Sequence, residues 1–234
     1  MVGTGFFYRV AVIGILLQGV AATGSSQTTG SEPLVSAELI SVTKIWDRAP
    51  HNAFTDLVHW KGKFYCAFRE GKGHAGDRGR LRVLASVDGE GWESVGVIED
   101  AKFDLRDAAL TEMPDGKLMV LGGAQIPGKS TGTFVSFSDD GINFSAPEIV
   151  IAPGRWLWRT TRHGEDSFGV AYGAPDRANA SSLLKTRDGK TYETVVAELL
   201  EDGERPTEAR IRFDQEATAY CLHRRDGKTK NTAM

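Results

Sequence analysis

One short pattern recurs three times along the chain. It reads Ser86-Val87-Asp88-Gly89-Glu90-Gly91-Trp92, then Ser138-Asp139-Asp140-Gly141-Ile142-Asn143-Phe144, then Thr186-Arg187-Asp188-Gly189-Lys190-Thr191-Tyr192. The common form is a hydroxyl residue, any residue, Asp-Gly, two further residues and an aromatic. The copies start 52 and 48 positions apart (138 − 86 and 186 − 138). Asp-Gly between apolar runs signals a hairpin, because Gly takes a positive φ without a Cβ clash and Asp bonds its own backbone. A strand-built repeat of this length points to a β-propeller with one four-stranded sheet per repeat.

A second repeat interleaves with the first. Apolar runs flank polar turns at Gly62, Gly116 and Gly164, which lie 54 and 48 apart, and at Asp214-Gln215-Glu216. Each unit therefore reads strand, turn, strand, loop, strand, Asp-Gly turn, strand, with the local alternation of half-buried strands. The expected fold is all-β, with antiparallel blades at about 50–100, 101–150 and 151–200 and a fourth starting near 205. That makes about three and a half blades, whereas propellers close with four to eight. The expectation is a fragment of a longer protein, the alternative being a ring completed by another copy; an open edge would favour self-association.

The N-terminus is different in kind. Arg9 precedes the apolar run Val10–Leu17, and small residues follow at Val20-Ala21-Ala22. This is the layout of a cleaved secretory signal, expected over 1–24, and the run is short for a membrane span. A flexible lead and first strand are expected over 25–45, with the propeller over 46–234 and a secreted or periplasmic location. The net charge of −3 offers no basic footprint for nucleic acid. Cys66 and Cys221 sit in similar apolar runs, which suggests two buried free thiols in different blades. No metal-ligand spacing, phosphate loop or nucleophile triad is present, so no metal or cofactor is expected.

With these turns in place, the chain resembles the sialidase-like (neuraminidase) six-bladed propellers, whose repeated signature is called the Asp-box. Further matches are Cys66-Ala67-Phe68-Arg69-Glu70-Gly71, His74, Asp104-Leu105-Arg106-Asp107 and Leu222-His223-Arg224-Arg225-Asp226. The resemblance implies an exported exo-glycosidase acting on glycans; the alternatives are a glycan-binding propeller without catalysis, or an inactive fragment. It implies that Asp88, Asp140 and Asp188 hold the fold on the outer rim. Sialidases use a Tyr nucleophile, a Glu that activates it, an Asp acid/base and three Arg that clamp the substrate carboxylate.

On that pattern Asp77, four residues before Leu81, matches the acid/base. Glu208 matches the helper Glu, and Arg224, with Arg225 competing for its place, matches the second Arg. Arg69 is an expected anion clamp, and His74 and Asp107 are expected to line the mouth. Asp104 and Arg106 open blade two, where a structural charge network is an equal expectation; Trp156 and Trp158 suit packing between blades. Asn52 stands where the family's first Arg belongs, and the Tyr nucleophile and third Arg have no counterpart. Asp56, near the axis, would suit a neutral sugar better than an anionic one, because like charges repel.

Overall fold

The computed structural model describes residues 38–125, 130–173, 180–200, 205–227 and 232–233. The expected signal segment 1–24 lies outside them. Among the described residues there is no helix, and the strands form four antiparallel sheets in chain order. Blade one holds β1 (His51–Trp60), β2 (Lys63–Gly71), β3 (Arg80–Ser86) and β4 (Glu93–Ile98). Blade two holds β5 (Asp104–Glu112), β6 (Leu118–Gln125), β7 (Thr131–Ser138) and β8 (Glu148–Ile151). Blade three holds β9 (Trp156–His163), β10 (Asp166–Tyr172), β11 (Ser181–Thr186) and β12 (Glu193–Val196). A three-stranded fourth sheet holds β13 (Pro206–Phe213), β14 (Ala219–Arg225) and β15 (Thr232–Ala233).

This is a propeller-like arrangement in which no sheet closes a ring. The first strands of successive blades, β1, β5, β9 and β13, lie against one another and line the inner side. Of the segment expected to hold the lead and first strand, 25–37 lie outside the described residues, and 38–48 form no strand. Leu39, Ile40 and Val42 are exposed there.

Each Asp-Gly turn is built in the same way. Ser86 Oγ accepts from Gly89 N at 2.8 Å, and Asp88 Oδ1 accepts from the Glu90 and Gly91 amides at 2.9 and 3.0 Å. Asp140 accepts from the Ile142 and Asn143 amides, and Asp188 from the Lys190 and Thr191 amides. These amides pull all three carboxyls below their usual pKa, with burial opposing the effect most strongly at Asp188. The turn glycines have φ of 82°, 75° and 72°. Two of them also set blade spacing: a Cβ on Gly141 would meet Tyr65 Oη at 2.3 Å, and one on Gly189 would meet Met119 Sδ at 2.6 Å. The second and third boxes therefore seat against the preceding blade, as rim fastenings.

The core lies between blades. Trp60, Leu81 and Val83 pack with Leu105, Leu110 and Val120 across the first interface; Met119, Leu121 and Val135 pack with Leu157, Ala171 and Leu184 across the second. Phe168 and Val170 meet Ala209 and Ile211 across the third. Trp46 covers the other face of blade one, against Phe68, and donates its Nε1–H to Glu70 at 2.7 Å. Leu57 on β1 and Leu222 on β14 stay exposed, each alternating with a residue turned toward the neighbouring blade. Cys66 and Cys221 are free thiols, as expected.

Candidate functional site

Every first strand is irregular at the same place. Pairing of β1 with β2 shifts between Ala53 and Asp56, and that of β5 with β6 between Arg106 and Ala109. The partner of β9 shifts between Gly169 and Ala171, leaving Trp158 and Arg159 in the bulge; β13 shifts between Pro206 and Ala209, leaving Thr207 and Glu208. An extra residue bends the strand and re-aims its side chain. Four bulges in register thus present Phe54, Asp107, Trp158 and Glu208 at one end of the inner strands.

Two of these residues hold a conformation that L side chains rarely adopt: φ is 64° at Phe54 and 56° at Asp107. Each such residue costs about 1–2 kcal/mol, and strain of this kind collects at functional sites. Asp107 is 7% exposed, and burial pushes its carboxyl above the ordinary range although Arg106, Arg159 and His74 oppose the shift. Arg106 Nε donates to Asp107 Oδ2 at 2.8 Å, and its guanidinium also lies over the Phe54 ring at 4.9 Å. The His74 ring meets Phe54 edge-on at 5.0 Å and His51 at 5.9 Å.

Blade three adds an aromatic group. Trp158 lies 5.2 Å from Trp156, and Tyr172 lies 5.8 and 6.4 Å from the two. Burial pushes the Tyr172 hydroxyl far above its usual pKa, and the charges of Glu208 and Asp107 push it further. Tyr172 thus stays neutral beside both carboxyls. Glu208 is raised too, first by burial and then by Asp107 and Asp226, with Arg224 opposing. Arg224 spans Glu208 at 2.8 Å and both oxygens of Asp226 at 2.9 and 3.2 Å.

Several residues expected at the site have other work. Arg69 is wholly buried: Nε reaches Asp104 at 2.8 Å, Nη2 reaches Asp77 at 2.7 Å and Nη1 reaches the Gly73 carbonyl at 2.7 Å. All three nitrogens of the fork, read from sequence as an anion clamp, are thus engaged within the protein. Asp77 accepts from Arg69 and from Lys72 N at 2.6 Å; these contacts outweigh its burial and hold its carboxyl below the usual range. With Asp104, which also accepts from Gly79 N, this pair fastens the β2–β3 loop to the start of blade two. Asp77 lines an open cleft of about 800 Å³ with Arg48, Lys72, Arg80 and Asp100, beside blade one.

Asp56 is a hub near the axis. Its Oδ2 accepts from Leu110 N at 2.9 Å, and its Oδ1 lies 2.7 Å from Arg159 and 3.9 Å from Arg210. One carboxylate thereby ties four blades together. Asn52 donates to the Ala49 carbonyl at 2.8 Å. Arg225 follows Arg224 on β14, so strand alternation turns it to the opposite face from Arg224, which bonds Glu208. Phe54, Arg159, Arg210 and Tyr172 escape a motif-based reading. For Phe54 the signal is positional: Phe54, Asp107, Trp158 and Thr207 recur 53, 51 and 49 residues apart, close to the period of the boxes.

The chain matches no family model and no curated protein sequence. It does match solved structures at low identity. One is a protein of unknown function from Dyadobacter fermentans, at 17% identity and TM-score 0.63, covering 74% of this chain and 62% of that one. Another is the GH93 α-L-arabinofuranosidase of Fusarium graminearum with arabinobiose, at 16% and 0.61, covering 74% and 56%. A third is the α-L-arabinanase of Penicillium chrysogenum with arabinobiose, at 15% and 0.60, covering 75% and 57%. The chain thus spans about three fifths of the length of these neighbours. Likeness at such identity concerns the fold: it is one shared with glycoside hydrolases, and no sialidase is among the neighbours described here.

Proposed function

We propose that this protein is a glycan-acting hydrolase whose site is the mouth formed by the four bulges. The observation that carries the reading is the pair Asp107 and Glu208, presented by matching bulges, both pushed up by burial and both felt by Tyr172. Glycosidases use two carboxyl groups, one giving a proton and one meeting positive charge at the anomeric carbon. The deeply buried Asp107 suits the acid, since burial biases its carboxyl toward the protonated form. Glu208, more exposed and bonded by Arg224, suits the carboxylate. In this reading Asp107 protonates the glycosidic oxygen as its bond to the anomeric carbon breaks, Glu208 stabilises that carbon, and water supplies the hydroxyl of the product.

The acid/base role thus passes from Asp77 to Asp107. Asp77 is held ionised by Arg69 and a backbone amide, the wrong bias for a proton donor. Phe54, Trp158 and Tyr172 supply faces on which sugar rings stack, and His74 a hydroxyl partner. The neighbours named as arabinofuranosidase and arabinanase support the class of reaction. A six-bladed ring, export directed by residues 1–24 and self-association through the open blade edge belong to the same proposal, on the sequence pattern alone. The test is an assay of the purified chain on a panel of fluorogenic glycosides beside Asp107→Asn and Glu208→Gln. Acid–base groups contribute about 10²–10⁴ in rate, so each variant should lose at least about a hundredfold in kcat. Undiminished turnover in both variants, or none by the wild type on any glycoside, rejects the reading.

A further inference from the structure

Resting on the reading just given, we infer that the mouth takes an uncharged saccharide and rejects sugars that carry a carboxylate. Recognition of a sugar acid requires a guanidinium with a free edge, because that fork binds carboxylate through two parallel bonds. The mouth is rich in arginine, and each arginine described there lies against a carboxyl group. Arg106 is held between Asp107 at 2.8 Å and the Phe54 face at 4.9 Å. Arg159 is taken by Asp56 at 2.7 Å, with Arg210 3.9 Å from the same oxygen. Arg224 is shared by Glu208 and, through both Nε and Nη2, by Asp226. Among these described residues four guanidinium groups face four carboxyl groups.

Two further described arginines are engaged elsewhere. Arg69 is enclosed by Asp77 and Asp104. Arg155, for which burial lowers the pKa, donates to Ser182 on β11. A substrate carboxylate would therefore meet the carboxylates of Glu208 and Asp226, and juxtaposed like charges oppose binding. The strained bulges instead present the rings of Phe54 and Trp158. Aromatic faces suit the C–H faces of a neutral sugar, and His74 beside them can serve its hydroxyls.

The experiment measures binding and turnover separately on the full chain. Binding of arabinobiose, xylobiose and sialyllactose is followed by quenching of tryptophan fluorescence, with turnover read on the matching fluorogenic glycosides. The expected result is binding of a neutral disaccharide at least ~10-fold tighter than sialyllactose. Asp226→Asn, which frees one edge of Arg224, should narrow that ratio by strengthening sialyllactose binding. Phe54→Leu should weaken the neutral ligand. Equal or tighter binding of sialyllactose by the wild type, or binding of none of the three, overturns the inference. Neutral binding without turnover leaves the inference standing and rejects only the hydrolase reading.

Discussion

Arg69→Met separates a structural role for the blade-one loop from a catalytic one. The side chain is wholly buried, and its three guanidinium nitrogens are held by Asp104, Asp77 and the Gly73 carbonyl at 2.7–2.8 Å. Methionine fills similar volume but leaves the buried Asp104 and the mostly buried Asp77 without their cation. Removing one partner of a buried ion pair costs about 3–5 kcal/mol, far more than the pair contributes over an apolar replacement. For a domain of this size each kcal/mol moves Tm by about 2–4 °C, so the melting point should fall by about 6–20 °C. The pH dependence gives a second check. The folded-state pKa of Asp77 is depressed below its ordinary 3.8. Its contribution is therefore fully present above about pH 4 and fades as pH falls through the depressed value. In the variant that depression is gone, so the wild-type advantage should shrink on acidification. Urea denaturation of both proteins between pH 3 and 7 measures it. A loss under about 1 kcal/mol, or one independent of pH, would refute the argument that this network fastens the loop.

Gly141→Ala should destabilise clearly more than Gly62→Ala. Both have φ near 75°, costing about 1–2 kcal/mol with a Cβ, but only Gly141 would also strike Tyr65, and chemical denaturation compares them. Asp107→Asn should raise stability at pH 7 relative to pH 4. A carboxyl whose folded pKa is raised stabilises only at low pH and loses that contribution as pH rises through the folded value, whereas an amide does not titrate; melting curves at the two pH values show it. Burial pushes both thiols up to about 11. Cys66 and Cys221 should accordingly react with a disulfide reagent at pH 8 only after denaturation, as thiol counting before and after guanidinium will show.

Sequence alone determined the fold class, the blade spacing and the structural nature of the Asp-Gly turns. Those properties are local: a turn needs its Gly at positive φ and its Asp within three residues, and strand alternation follows from side-chain period. The meeting of Glu208 with Arg224 was likewise legible, because they sit at matching ends of consecutive strands and pair across one ladder. Only the tertiary structure decided the rest. Asp77 and Arg69 carry the right residue types for a mouth, yet Asp104, 35 residues beyond Arg69 and in the next blade, draws them into a buried tie. Asp56 reads as a free axial carboxylate until Leu110, Arg159 and Arg210 converge on it from three other blades. Asp107 gains its raised pKa and its place beside Tyr172 from a bulge and from burial, neither of which a residue's neighbours in sequence encode. Pairing between blades depends on which strands the fold brings side by side, and that pairing settles which charges are consumed and which remain for a ligand.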